Sequence, residues 1–535
     1  MPTESTPMLL DQPELLYTDL IRINAALYGS KPAVVCGEGR LSWTDFHRRT
    51  NMVANALLAG GLARGDKVCL VMNSSIAMFE LIWGVIKAGG VVVPLNVMMA
   101  GDSLGLTIND CDAALLFADP STLAAVEQVR PTLGKVRADG YFVTGTPQAG
   151  WTSTDDWANA GEAAEVKIRL THSDSMNIIY SSGSTGVPKG IEHSHFARHI
   201  YSVGFGPGLE MNRWSVAICT TPLYTNGTWI TMLPAVYWGG TTVLMTKFSA
   251  EAFFALVQQE RCTHVFMVPT QYIVLLECTT LAQFDLSSMK VLLSGGQAIA
   301  ARTMAELKVL FPTARVFECY GITEGFITLA SPEDKALAGK ERTVGLPMFG
   351  GEIVILDDEG HALPAGEVGD ITGYGPALMK GYYRRPDITA KMIWRDAVGR
   401  TFLRSGDLGH IDAQGYLYIS GRIKDMIKSG GINVYASDIE DVYMQHPDVV
   451  EVAAIGIPHD KWVETPLLLA IMRSGSATTP AELMTWGNAR LGKWQRVSAI
   501  EFRAEFPRAT HDKVLKRALR DPYWLAANPN TNTTR

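Results

Sequence analysis

A chain of 535 residues is too long for one compact core, so two or more domains are expected. Hydrophobic residues make up 47% and charged residues 19%, which supplies a large core and excludes a disordered chain. The net charge of -7, with no lysine and arginine cluster able to track a phosphate backbone, argues against nucleic acid as the main partner.

The seven cysteines (Cys36, Cys69, Cys111, Cys219, Cys262, Cys278, Cys319) stand singly, without a CxxC pair or metal spacing. Their apolar neighbours favour reduced, buried thiols and a cytoplasmic location. The N-terminus lacks the basic start and apolar run of a signal peptide. The longest apolar run, residues 81–100, is broken by Lys87, Gly89, Gly90, Pro94 and Asn96. It reads as a buried helix followed by a strand, with no integral membrane association.

Residues 1 to about 40 read as a polar lead-in with a short surface helix near 16–28. From residue 41 the pattern is regular. Ser42 caps a helix through 58, glycines 60–61 end it, 67–72 is a strand, 76–88 a helix and 90–94 a strand. Strands at 113–117 and 140–144 follow, with a helix from 121 between them and a surface stretch over 145–165. Residues 176–180 form a strand that delivers a loop, 191–193 its return, and Ser194 caps a helix toward 202. Strands at 215–219, 241–245, 264–268 and 290–294, with helices at 250–259 and 301–310, form a second set of α/β units. Such alternation signals parallel sheets covered on both faces. After residue 341, short strands with turns at 357–360, 364–366 and 412–415 suggest a distorted β-barrel. A domain boundary falls at 421–424. Beyond it a helix at 438–445, strands at 449–455 and 466–472, and a helix at 480–491 make a small α+β domain. The Asn- and Thr-rich tail after 521 reads as disordered.

Five stretches carry chemistry. Residues 180–190, Tyr-Ser-Ser-Gly-Ser-Thr-Gly-Val-Pro-Lys-Gly, set the hydroxyls of Ser182, Ser184 and Thr185 around Gly183 and Gly186, ahead of Lys189. Glycines let backbone N–H groups approach an anion, and hydroxyls and a lysine complete a phosphate loop. It is not a Walker A loop, because Pro188 precedes the lysine and a glycine follows it. Residues 320–324, Tyr-Gly-Ile-Thr-Glu, offer a ring to stack on a base, a hydroxyl for phosphate and a carboxylate for a hard cation. Asp407, between Gly406 and Leu408-Gly409, suits a ribose diol as well as a plain turn. Residues 421–431 set Arg422, Lys424 and Lys428 against closing glycines, which a solvated basic face also explains. Lys513 alone reads as surface decoration.

Together, over about residues 41–520, these stretches resemble the adenylate-forming acyl- and aryl-CoA synthetases, relatives of firefly luciferase and nonribosomal adenylation domains. The resemblance implies an α/β fold with a large N-terminal AMP-binding domain (1–422) of two sheet subdomains plus a distorted β-barrel. A small mobile α+β domain (423–535) would follow, hinged at Lys424. It implies ATP, magnesium and CoA as cofactor and co-substrates. Ser182 to Gly186 and Lys189 would hold the ATP phosphates, with Thr185 and Lys189 the main grip. Thr323 would hold the α-phosphate and Glu324 the magnesium. Gly296, Gln297, Ala298, Tyr320 and Gly321 would frame the adenine, and Asp407 with Arg422 the ribose. Lys513 would reach the reacting carboxylate and α-phosphate as a catalytic group alongside Thr185 and Glu324. Rotation at Lys424 would bring Ser429, Gly430 and Gly431 in to line a CoA channel.

Three positions depart from the family pattern. Residues 222–227, Pro-Leu-Tyr-Thr-Asn-Gly, are one residue short and lack the usual histidine. Ala436 stands where proline is common, and Asp512 replaces the glycine before Lys513, within reach of an ion pair to that lysine or to Lys516. The acyl-pocket candidates are Tyr224, Thr225, Asn226, Thr270, Gly295 and Met348, a mixed lining suited to an aromatic or medium-chain acid. The expected activity is an AMP-forming carboxylate:CoA ligase, with carrier-protein loading, luciferase-like oxidation of the adenylate, or a non-catalytic binding protein as alternatives. The oligomeric state is left open.

Overall fold

The computed structural model describes residues 14–181, 189–280, 283–430, 432–508 and 514–527. Among these residues the strands form four sheets.

The first is eight-stranded and centres on Lys67–Val71, with Val91–Pro94 and Ala113–Ala118 parallel on either side. The valine run of Val91–Pro94 is buried throughout, as a strand covered on both faces requires. Ser175–Ser181 lies parallel to Val91–Pro94, and Lys189–Ser194 returns antiparallel, with Ser181 opposite Lys189. The loop over 182–188 therefore joins strand to strand. Ser194 then caps the helix His195–Gly208, its Oγ accepting from the N–H of Ala197.

The second sheet has nine strands and a parallel centre. Val216–Cys219, His264–Met267, Val291–Gly295 and Arg315–Gly321 run side by side in that order, so their carboxyl ends share one edge. Helices between the two sheets carry Trp43, Phe79, Trp83 and Trp229, each nearly or fully buried in one cluster with residues of both sheets. This central layer fixes how the two sheets face each other.

The expected β-barrel element takes the form of a five-stranded antiparallel sheet. Its long strand Thr401–Ile411 pairs with Gly369–Tyr374, Ile393–Arg395 and Leu417–Arg422, with register shifts beside Asp370 and Leu408. The fourth sheet, also five-stranded, comprises Ile427–Ser429, Ile432–Val434, Val449–His459, Val463–Met472 and Ala499–Phe502. Its cores are separate from those of the first three sheets.

Two sequence expectations fail. The lead-in is not peripheral: Tyr17 and Ile21 of the helix Tyr17–Tyr28 are buried in the central layer, and Pro32–Cys36 pairs in parallel with Thr241–Leu244. A short apolar strand, Pro32–Cys36, sits inside a polar, Gly-containing stretch, and its partner lies some two hundred residues away. Residues 522–527 are not structureless either, because the helix Lys516–Ala527 runs through Pro522; the rest of that tail lies outside the described residues. Leu519 and Tyr523 pack on the apolar face around Ile455 and Leu467, and Trp524 Nε1 donates to the carbonyl of Gly456 at 3.0 Å. Tertiary packing overrides the weak local signal there. Among the described residues no helix is long and apolar enough to cross a membrane.

Candidate active site

The shared carboxyl edge of the nine-stranded sheet gathers four connections, as open α/β sheets do at their ligand crevices. Val216–Cys219 leads to Tyr224, Thr225 and Asn226; His264–Met267 to Thr270; Val291–Gly295 to Gly296, Gln297 and Ala298; and Arg315–Gly321 ends in Tyr320 and Gly321. Gly295 is packed so closely that a Cβ there would meet Cys319 Sγ at 2.6 Å. Behind this edge a buried Glu318 pairs with Lys335 at 2.7 Å and accepts from the N–H of Ile299 at 3.3 Å, which anchors the loop holding Gly296 to Ala298.

The Tyr320 hydroxyl donates to Asp407 Oδ2 at 2.9 Å, and Arg422 Nε meets Asp407 Oδ1 at 3.1 Å. Asp407 is 6% exposed, while the Arg422 side chain is half exposed. Asp407 and Arg422 face each other across the pairing of Thr401–Ile411 with Leu417–Arg422. Burial, with the Asp407 charge adding, pushes the Tyr320 phenol far above its usual range, so it stays a donor. An ionised carboxylate offers about four lone-pair sites. Two of these are used here, and two remain for a diol.

The turn Thr323–Glu324 is held from three sides. His193 Nε2 lies 2.8 Å from the Thr323 carbonyl, Met379 donates its N–H to the Glu324 carbonyl at 2.8 Å, and the Tyr382 hydroxyl donates to Glu324 Oε1 at 2.6 Å. Gly325 follows with φ +123°, and a Cβ there would lie 2.1 Å from the Ala377 carbonyl oxygen. Lys189 Nζ stands over the Tyr382 ring at 5.3 Å. Tyr382 thus lies between Lys189 and the carboxylate expected to hold magnesium. Glu324 is an oxygen donor, half-buried, with Tyr382 on one oxygen, and so fits as one ligand of a hard cation.

On the acid side, Tyr224 and Thr225 are buried, and the Thr225 hydroxyl is committed to the Pro222 carbonyl at 2.9 Å and to Thr228. Asn226 opens the helix Asn226–Tyr237 and accepts on Oδ1 from Arg198 Nη1 at 2.9 Å. Thr270 sits in the first turn of Pro269–Leu276. Met348 lines an apolar cleft with Tyr201, Phe326 and Ile327 that has room for little more than a water, about 20 Å³.

Ser182, Gly183, Ser184, Thr185, Gly186, Gly431, Asp512 and Lys513 lie outside the described residues. Lys516 pairs with Glu440 at 2.6 Å. Lys424 lies in the short turn Ile423–Asp425, Ser429 is buried, and Gly430 donates its N–H to the Trp462 carbonyl at 2.8 Å. Among the described residues no hydrogen bond joins Ser429 or Gly430 to the Tyr320–Asp407 cluster. Sequence reading missed Tyr382, His193 and Arg198. Their roles come from pairings such as Tyr382 opposite Ile191, which no local pattern announces.

The class this fold and site define is confirmed by family models. One described as AMP-binding enzyme matches residues 21–383, and one described as AMP-binding enzyme C-terminal domain matches residues 438–513. A feruloyl-CoA synthase from Amycolatopsis sp. is 30% identical over 497 residues, covering 91% of this chain and 95% of that protein. The anthranilate CoA ligase AuaEII, solved with anthranoyl-AMP, superposes with a TM-score of 0.87 at 25% identity, covering 97% and 99% of the two chains. ATP-bound MatB from Rhodopseudomonas palustris gives 0.83 at 28% identity, covering 95% and 99%. The chain belongs to the AMP-binding enzyme family. Within it, it is an acid–thiol ligase of the acyl-CoA synthetase, AMP-forming type.

Proposed function

We propose that the protein activates an aromatic or medium-chain carboxylic acid as its acyl adenylate and then transfers the acyl group to CoA. The observation that carries this reading is the meeting of Tyr320, at the carboxyl edge of the nine-stranded sheet, with Asp407 and Arg422 of the five-stranded sheet. In the first step a carboxylate oxygen attacks the α-phosphorus, the bond to the β-phosphate bridging oxygen breaks, and pyrophosphate leaves. In the second, the thiol loses its proton, sulfur attacks the acyl carbon, and the bond from that carbon to the AMP oxygen breaks.

Asp407 accepts from the ribose hydroxyls while Arg422 and Tyr320 hold its carboxylate still. Tyr320 and the loop from Gly296 to Ala298 flank the base. Thr323 donates to the α-phosphate, and Thr185 and Lys189 hold the departing phosphates. Glu324 would hold a magnesium ion, which would supply positive charge against the phosphates. Lys513 supplies a fixed cation where negative charge builds, which lowers the barrier more than it stabilises the substrates. For CoA transfer the domain beyond Lys424 rotates, withdrawing Lys513 and presenting Ser429, Gly430 and Gly431 to the pantetheine arm. The names of the feruloyl-CoA and anthranilate-CoA enzymes support an aromatic acid.

The test is acid-dependent exchange of labelled pyrophosphate into ATP across aryl, medium-chain and dicarboxylic acids, followed by CoA or a holo-carrier protein. Exchange with an aromatic or medium-chain acid and thioester formation on CoA are expected. Absence of exchange with every acid would leave a binding protein, and acylation of the carrier alone would reassign the acceptor.

A further inference from the structure

Arg198 is fully buried in the helix His195–Gly208, and among the described residues it forms no ion pair with a carboxylate. Its guanidinium is divided among three neutral acceptors. Nε donates to Asn177 Oδ1 at 2.8 Å, Nη1 to Asn226 Oδ1 at 2.9 Å, and Nη2 to His193 Nδ1 at 3.3 Å. The rings of Tyr201 and Trp229 lie 4.9 and 5.0 Å from its centre. A buried cation without a counter-charge is costly, and a leucine would fill the same space without that cost.

The hydrogen-bond roles are fixed by chemistry. The Thr323 carbonyl can only accept, so His193 Nε2 carries the proton and His193 Nδ1 accepts from Arg198. Burial and the Arg198 charge hold His193 far below its usual pKa, so this tautomer does not titrate. A continuous chain of directed bonds thus runs from Asn226, at the acid side, through Arg198 and His193 to Thr323, at the α-phosphate side. Asn226 also donates to the Tyr201 hydroxyl at 3.5 Å, and Tyr201 lines the cleft beside Met348.

We propose that Arg198 is a positioning residue that couples the acid pocket to the nucleotide site, so that acid and ATP favour each other's binding through Asn226, Arg198, His193 and Thr323. The inference rests on the adenylation reading given above. A rigid guanidinium fork that serves both ends cannot move one without loading the other, which is the physical content of a coupling free energy.

The test is calorimetric binding of α,β-methylene-ATP and of an acid probe, ferulate or decanoate, each alone and each in the presence of the other. The parent is expected to bind the acid about 5-fold or more tightly when the nucleotide analogue is present, the usual size of such coupling. In Arg198→Met that factor should fall to one, while the affinity of each ligand alone changes less. His193→Leu should behave likewise, whereas His193→Gln, which can still donate to the Thr323 carbonyl and accept from Arg198, should retain the coupling. Should Arg198→Met fail to fold, Arg198→Lys, which keeps the charge but as a compact ammonium cannot span the three separated acceptors, and the His193 pair decide the matter. No coupling in the parent, or coupling unchanged in Arg198→Met or Arg198→Lys and in His193→Leu, overturns the relay even if pyrophosphate exchange is robust. Absence of both binding and exchange in the parent with every acid defeats the adenylation reading and the relay together.

Discussion

Asp407 sits buried between the Tyr320 hydroxyl and the Arg422 guanidinium, and the free lone pairs of its carboxylate are what a ribose diol requires. Asp407→Asn should raise the KM for ATP about 10-fold or more and leave the KM for the acid nearly unchanged, since charge-assisted hydrogen bonds are each worth roughly 1.5–3 kcal/mol. Pyrophosphate exchange at varied ATP and acid checks this, and an equal change in both constants counts against the ribose assignment. Nearby Asp370 makes a separate, pH-linked prediction. Burial, with the Asp407 charge adding to it and Arg404 opposing, pushes the Asp370 carboxyl up to about 6 from 3.8. Between these values the folded protein holds the proton more tightly than the unfolded chain, so stability falls as pH rises through that window and stays lower above it. Asp370→Asn should therefore raise the denaturation midpoint at pH 8 and leave it nearly unchanged near pH 4. An effect of equal size at both pH values would exclude Asp370 as the titrating group.

At the scale of elements, the Tyr320–Glu324 segment acts as one rigid turn because Gly325 allows the Ala377–Leu378 backbone to lie against it. Gly325→Ala adds a Cβ where φ is +123° and the Ala377 oxygen is 2.1 Å away. A cost of about 1–3 kcal/mol is expected. Chemical denaturation measures it, and the pyrophosphate-exchange rate should fall further than stability alone explains, because Thr323 and Glu324 move with the turn. Strands and helices at both α/β sheets were legible because apolar runs and caps are local signals: Ser42 and Ser194 accept from the N–H groups three residues on, as their positions before apolar runs imply. The hydrogen bond of Tyr320 to Asp407 joins two stretches that local composition singled out separately. Tyr382 on Glu324, and Arg198 between Asn177 and Asn226, were not, because each contact joins segments whose proximity depends on sheet order. The helix Lys516–Ala527 was missed because its apolar face is matched to the strand Val449–His459, and polar composition hid that match.

Across the whole molecule, the polar contacts between the first three sheets and the fourth-sheet region include an Arg342–Asp441 ion pair and a hydrogen bond from Arg302 Nη1 to the Pro447 carbonyl at 3.2 Å. Exposed pairs of this kind are each worth about 0–1 kcal/mol, so this arrangement is weakly enforced by them. On the proposed two-step reading, Lys513→Ala should abolish pyrophosphate exchange while sparing thioester formation from supplied acyl adenylate. Lys424→Pro, by stiffening the turn Ile423–Asp425, should slow CoA transfer more than exchange. Single-turnover assays of each half-reaction separate the two, and equal losses in both steps for either variant contradict a rotating domain.

The strand Pro32–Cys36 lies between Thr241–Leu244 and the edge strand Gly39–Ser42, with Val34 opposite Thr242. During translation this early segment leaves the ribosome well before its partner exists. At roughly 5–20 residues per second the gap lasts about 10–40 s. For that interval the Ala33-Val34-Val35 stretch has only the hairpin partner Gly39–Ser42, so one edge of the first strand made stays open until Thr241–Leu244 arrives.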